Sequence, residues 1–263
     1  MANKPPSPII IPDVPNVSLV SFYGQKTPDF TALLLLIQGY LSNEFSSQFT
    51  PMPLDQIHGT LIGCEGLKTP QGIINKWFLE KRKEFRYVKI PEFLTFVRQF
   101  EQLLVQIRMG GYHPSVDYGF RSQNQHPYDR SFQFQNQKAV IMGWPYYRSQ
   151  FLPDLGEFRQ QAQQFNLLHK YQPLNTVDND FYLRIGEISP DIPEKKRIAV
   201  EYKIRELLKT QSPILLPLNQ QSIQFTQYQD LSLPITTTQA LDITEITPNQ
   251  FISLYPKIEN VTV

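Results

Sequence analysis

Apolar residues recur along this chain in two rhythms, and the changes from one to the other mark its elements. Leu33, Leu34, Ile37 and Leu41 fall at helical spacing, so residues 30–43 read as a helix with Asp29 placed to cap it. On either side the rhythm is that of strands. Residues 17–23 form the first, and 55–63 the second, where Ile57 and Leu61 point one way while His58 and Thr60 point the other. Residues 92–105 are helix-like, and 106–109 begin a strand that breaks at Gly110-Gly111. Residues 131–134 and 138–143 then form a hairpin that Trp144-Pro145 closes. Leu155, Phe158, Ala162, Phe165 and Leu168 predict a helix over 154–169, ending at His169, where the helix dipole favours a cation. A strand over 180–188 follows the turn Asp178-Asn179. A helix over 193–209 comes next, with Ile198, Tyr202, Ile204 and Leu208 as core contacts. Strands over 214–218 and 222–228 close the pattern, before a threonine-rich turn and a tail to Val263. Strand–helix–strand therefore occurs twice, which predicts an α+β fold.

The 263 residues suffice for one large domain or two fused lobes. With 25 basic and 24 acidic side chains, bulk charge does not hold this protein to nucleic acid, although a local basic cleft would. Cys64 is the only cysteine, so an intrachain disulfide is excluded and a reducing compartment is expected. The N-terminal stretch is proline-rich and lacks the apolar core of a signal peptide. The longest apolar run, 32–37, is far too short to span a bilayer. A cytoplasmic protein with no membrane partner is expected.

Candidate chemistry centres on His58 and Thr60. On one strand face both reach a single phosphate oxygen, the imidazole to move a proton and the hydroxyl to donate a hydrogen bond. His58-Gly59-Thr60 resembles the first His-x-Thr motif of the 2H phosphoesterase superfamily, which includes the LigT-type 2′,5′ RNA ligases and cyclic phosphodiesterases. The resemblance spans about residues 16–240 and implies two pseudo-symmetric β-α-β lobes, antiparallel sheets facing a central cleft, and helices outside. It divides the chain into an extended arm over 1–15, a first lobe over 16–145, a second over 146–240 and a tail over 241–263. It calls for no cofactor and no metal.

Chain order places the second motif at Asp180-Phe181-Tyr182, with Asp180 where the family has His and Tyr182 where it has Thr or Ser. Asp180, Tyr182 and Arg184 would then face the cleft. The alternative, Gln224-Phe225-Thr226, keeps the Thr and replaces the His by Gln. Under either alignment the second histidine is absent. Gln224 transfers no protons. Asp180 as a base would repel a phosphate unless Arg184 neutralised it, and Tyr182 as an acid would need a depressed pKa. His113 and His126, in the aromatic stretch 112–128 that also holds Arg121, are further candidates to complete the pair; Arg130 follows nearby. The basic triplet Lys81-Arg82-Lys83 reads as a solvated helix face, with RNA contact as the sharper alternative.

Three functions follow. The first is a degenerate fold that binds a nucleotide or RNA end through His58, Thr60, Arg184 and Tyr182 with little or no turnover. The second is an active 2′,3′-cyclic or 2′,5′ phosphodiesterase with a rearranged site. The third is a protein-interaction scaffold that uses the aromatic stretch and the proline-rich arm. Loss of the second histidine favours the first.

Overall fold

β1 (Asn16–Ser21) is buried at every position, because it lies inside a sheet with a neighbour on each edge. The computed structural model describes residues 9–99, 106–171 and 178–255, so parts of the expected arm, of the helix to 105 and of the tail fall outside the described residues. α1 (Pro28–Phe45) begins with a proline whose fixed φ suits a first turn. Thr27 is its N-cap, without a side-chain bond, so Asp29 serves the helix dipole and does not cap. β2 (Phe49–Pro51), β3 (Gly59–Gly63) and the hairpin of β4 (Gly66–Thr69) and β5 (Gly72–Asn75) follow. α2 (Lys76–Arg82) carries part of the basic triplet, and α3 (Ile90–Arg98) follows it.

β6 (Gln106–Met109) leads to the aromatic stretch, the short α4 (Pro127–Arg130) and the hairpin of β7 (Phe132–Gln135) and β8 (Lys138–Tyr147). β8 runs straight through Trp144-Pro145, where a stop was expected. Ile107 and Arg108 pair with Pro145 and Trp144, so the pairing with β6 extends the strand. β9 (Gln150–Phe151) folds back on it. α5 (Asp154–Gln161) tightens into a 3-10 turn that ends at Asn166 in the left-handed conformation. The expected helix therefore stops short of His169, which is buried beyond its end. Then come β10 (Phe181–Ile188), α6 (Glu194–Thr210), β11 (Ile214–Pro217), β12 (Ile223–Tyr228), β13 (Gln239–Asp242) and α7 (Pro248–Ser253). β13 and α7 occupy what was expected to be a turn and a tail.

The fold is α+β. Among the described residues an 11-stranded antiparallel sheet runs β11-β6-β8-β10-β3-β1-β12-β13, with β2, β7 and β9 attached at its sides. The strands beside β3 and those beside β10 each come from two separate stretches of chain. One sheet face is covered by helices: Phe30, Ile37 and Leu41 of α1, Phe93 of α3, Phe158 of α5, Ile204 of α6 and Phe251 of α7 share a core with Leu19, Ile141, Leu183 and Phe225. On α6 the buried residues are Val200, Ile204 and Leu208. Ile198 and Tyr202, expected in the core, are 57% and 58% exposed. Two residues along a helix turn it by about 200°, so a stripe begun at Val200 leaves Ile198 outside. Among the described residues no helix is long and apolar enough to cross a membrane.

Candidate functional site

The face of the sheet away from the helices positions the candidate residues. Leu183 of β10 pairs with Gly59 of β3. Antiparallel register then sets His58 opposite Arg184 and Thr60 opposite Tyr182, all four on the same face. Thr60 also pairs with Val20, and Val20 with Gln224, so the row continues across β1 into β12. A close approach underlies this seam. A Cβ on Gly59 would lie 2.2 Å from the buried Phe181 ring, so a glycine lets β3 and β10 meet.

Two aromatic covers flank the row. On one side Tyr112, Tyr128, Val140, Met142 and Trp144 pack together, with Tyr118, Phe120 and Tyr182 against them. On the other, Val20, Tyr23, Tyr228 and Leu233 form a second cluster. His58, Thr60, Tyr182 and Arg184 form the half-buried floor between them. A cavity of about 310 Å³ lies against β13 and α7, and none of its lining residues belongs to this floor.

His58 is held just before β3 begins. Its Nδ1 lies 2.6 Å from the Gln56 carbonyl. A carbonyl only accepts, so Nδ1 carries the proton and Nε2 presents a lone pair. Burial pushes the His58 pKa down to about 4, the Gln56 bond opposes this, and the charges of Lys26 and Arg184 lower it further. The ring is therefore neutral near pH 7. The Tyr23 ring packs edge-on, 6.0 Å away.

Lys26 donates to the carbonyls of Phe22 and Gly24 at 2.8 and 2.9 Å. The Gly24 amide in turn donates to the Asp55 carbonyl, tying this loop to the His58 turn. Burial brings the Lys26 pKa down to about 8, against the pull of Asp55. Nothing in the spacing of the sequence pointed to Lys26.

Arg184 donates from Nη2 to Glu187 at 2.7 Å, whereas its Nε is buried without a hydrogen-bond partner among the described residues. A buried unsatisfied donor is uncommon and calls for an acceptor. Burial raises the Tyr182 pKa to about 12, helped by Tyr171 and opposed by Arg184 and Arg130, so the phenol stays protonated and donates.

Asp180 has other duties. Ser122 Oγ donates to both its oxygens at 2.6 and 2.8 Å, Trp144 Nε1 donates at 2.7 Å and Arg130 Nη2 at 2.7 Å. This carboxylate clamps the aromatic stretch onto β10, and Arg130, rather than Arg184, neutralises it.

Gln224 donates to the Tyr23 carbonyl. His126 spends both nitrogens in its own loop, accepting from the Tyr128 amide and donating to the Val116 carbonyl at 2.9 Å. His113 is exposed and bonds Ser115.

Arg159 was also missed by sequence reasoning. Fully buried, it donates to the carbonyls of Leu61, Thr60, Asp178 and Asp180 at 2.9, 3.0, 2.9 and 3.1 Å, stitching β3 to the entry of β10. No family model matches this chain, and no curated protein matches it.

Proposed function

We propose that this chain is a degenerate 2H-phosphoesterase-like protein that binds a nucleotide or RNA phosphate over the β3–β10 floor, with little or no turnover. One observation carries the reading. The buried, unsatisfied Arg184 Nε stands across the seam from an imidazole with one unprotonated nitrogen and from the Thr60 hydroxyl. A phosphate would supply the acceptor that Arg184 Nε lacks among the described residues and would take a hydrogen bond from Thr60, and the nearby Lys26 would add positive charge. Tyr182 would donate a further hydrogen bond. Turnover needs a second proton-transfer group, each such group contributing about 10²–10⁴ in rate. Asp180 is saturated by donors, and Tyr182 holds its proton too tightly to give it up. A cytoplasmic setting, expected from the lone Cys64, goes with this reading.

Titration with adenosine monophosphate and 2′,3′-cyclic AMP should give saturable binding, weakened about ten-fold or more in Arg184→Ala, as loss of a charge-assisted bond implies. Equal affinities, or no binding to any nucleotide or RNA fragment, would move the weight to a protein-interaction scaffold. An active cyclic phosphodiesterase is favoured by the acidity of Lys26, an ammonium within electrostatic reach of His58. Under that second reading, 2′,3′-cyclic nucleotide hydrolysis is lost in both His58→Ala and Lys26→Ala. Equal rates for wild type and His58→Ala would dismiss it.

A further inference from the structure

α1 has no charged face. Of its 18 residues only Asp29 and Glu44 carry charge, whereas nine of the 17 in α6 do. One side of α1 lies in the core. The other, turned away from the sheet, presents Ala32, Leu35, Leu36, Gly39 and Asn43, all exposed and spaced as one helical stripe. Leu35 and Leu36 are 53% and 41% exposed. A helix that is apolar on both sides is ordinarily covered on both. α6 lies beside α1 on the same face of the sheet. Lys203 pairs with Glu44 at 3.1 Å, and the Lys196 ammonium lies 5.1 Å from the Phe45 ring centre. The exposed Ile198 and Tyr202 of α6 therefore extend the apolar surface near the C-terminal end of α1.

The stripe is complementary to itself. A two-fold axis between Leu35 and Leu36 sets a second α1 antiparallel to the first, with Leu35 over the partner's Leu36 and Ala32 over the partner's Gly39. Small residues at the outer contacts let the two helices approach to about 8 Å. A Cβ on Gly39 would meet nothing within 4 Å, so the fold leaves that space open. The charges agree with the same register. Asp29 is exposed and in no ion pair among the described residues. It lies three turns before Tyr40, and Tyr40 donates to Glu44 at 2.9 Å, so Asp29 is on the side of α1 that faces α6. The axis brings it level with the partner's Ser42, next to a Glu44 that faces two ammonium groups, Lys203 and Lys196. α1 is about 27 Å long, and two helices side by side offer about 500 Å² per copy, at the low end for a specific interface. An area of that size suits a reversible dimer of about micromolar strength.

We infer that the outer faces of α1 and α6 form a homodimer interface, in which α1 pairs antiparallel with α1 of a second copy about an axis between Leu35 and Leu36. This stands independently of the phosphate reading, because the floor is on the opposite face of the sheet. Sedimentation velocity on the full chain, over about 1–300 µM, should show a monomer passing into a dimer. Leu36→Glu should weaken the dimer about ten-fold or more with the melting temperature unchanged, since the substitution enters the interface twice. Gly39→Gln should weaken it likewise while the single chain keeps or gains stability, glycine being a poor helix former. Asp29→Lys and Lys203→Glu should each weaken the dimer, and their combination should restore it. A chain that stays monomeric throughout, or a dimer indifferent to Leu36→Glu and Gly39→Gln, overturns the interface. Weakening by both of these without rescue by the charge swap overturns the antiparallel register.

Discussion

Arg159 binds four carbonyl oxygens drawn from β3 and the approach to β10, with nothing but protein around it. Replacing it by leucine would strand those acceptors and the Asp178 carboxylate in the interior. The expected loss is about 3–5 kcal/mol, the usual consequence of removing one partner from a buried charged network, read by denaturant unfolding. A loss below about 1 kcal/mol would mean that water takes over its role. Its neighbours Gln160 and Gln161 make Arg159 read as part of a solvated helix face, and two of its partners lie 98 and 99 residues away. His58 and Thr60 were legible because strand alternation is a local rule. Lys26 was not, since its nearness to His58 depends on how two loops clasp. For His58 itself, a proton-NMR titration should give a pKa near 4 in the free protein. Saturating phosphate should raise it, because an adjacent anion favours the imidazolium. An unchanged value would place phosphate elsewhere.

At the scale of elements, the β3–β10 seam depends on the missing side chain of Gly59. Gly59→Ala drives a methyl into the Phe181 ring, itself packed edge-on against Phe22 at 5.9 Å. Overpacking of this kind costs about 1–3 kcal/mol. Since His58 and Thr60 flank the substitution, phosphate affinity should fall along with the denaturation midpoint. A variant as stable as wild type would show that the ring can give way. α7 is held by a capping box in which the Thr247 hydroxyl accepts from the Gln250 amide while the Gln250 side chain accepts from the Thr247 amide. Thr247→Ala should cost about 1 kcal/mol in thermal or chemical unfolding. The Thr-Pro-x-Gln signal for this helix stands in the sequence, but without a long apolar stripe behind it the segment reads as tail. The misplaced face of α6 has a related cause. Ile198 and Tyr202 form a stripe as good as Val200 and Ile204, and only packing on β7 and α1 selects between them.

For the whole molecule, two histidines decide the acid limb of stability. His169 is buried. Its Nδ1 has no partner among the described residues, and its pKa is pushed to about 4 by burial and Arg159. His58 is depressed to a similar value from an ordinary 6.5. The unfolded chain therefore takes up both protons first. Stability should decline as pH falls from about 6.5 to about 4, with His169 contributing about 3 kcal/mol at most and the half-exposed His58 less. Asp178, which burial pushes up but Arg159 and His169 draw down to about 2, adds a further loss at lower pH. Unfolding free energies measured at steps from pH 7 to pH 4 test this, and a flat profile would contradict it. Strand types and order along the chain were legible from periodicity, whereas their order in the sheet was not, because pairing joins residues with no local relation. Ser18 and Tyr228, on neighbouring strands, are 210 residues apart. During synthesis, at roughly 5–20 residues per second, β1 would therefore wait roughly 10–40 s for its partner β12 to leave the ribosome. Through that interval an apolar edge stands open to any passing chain, which makes this a protein for which nascent-chain chaperones and slow refolding at low concentration matter.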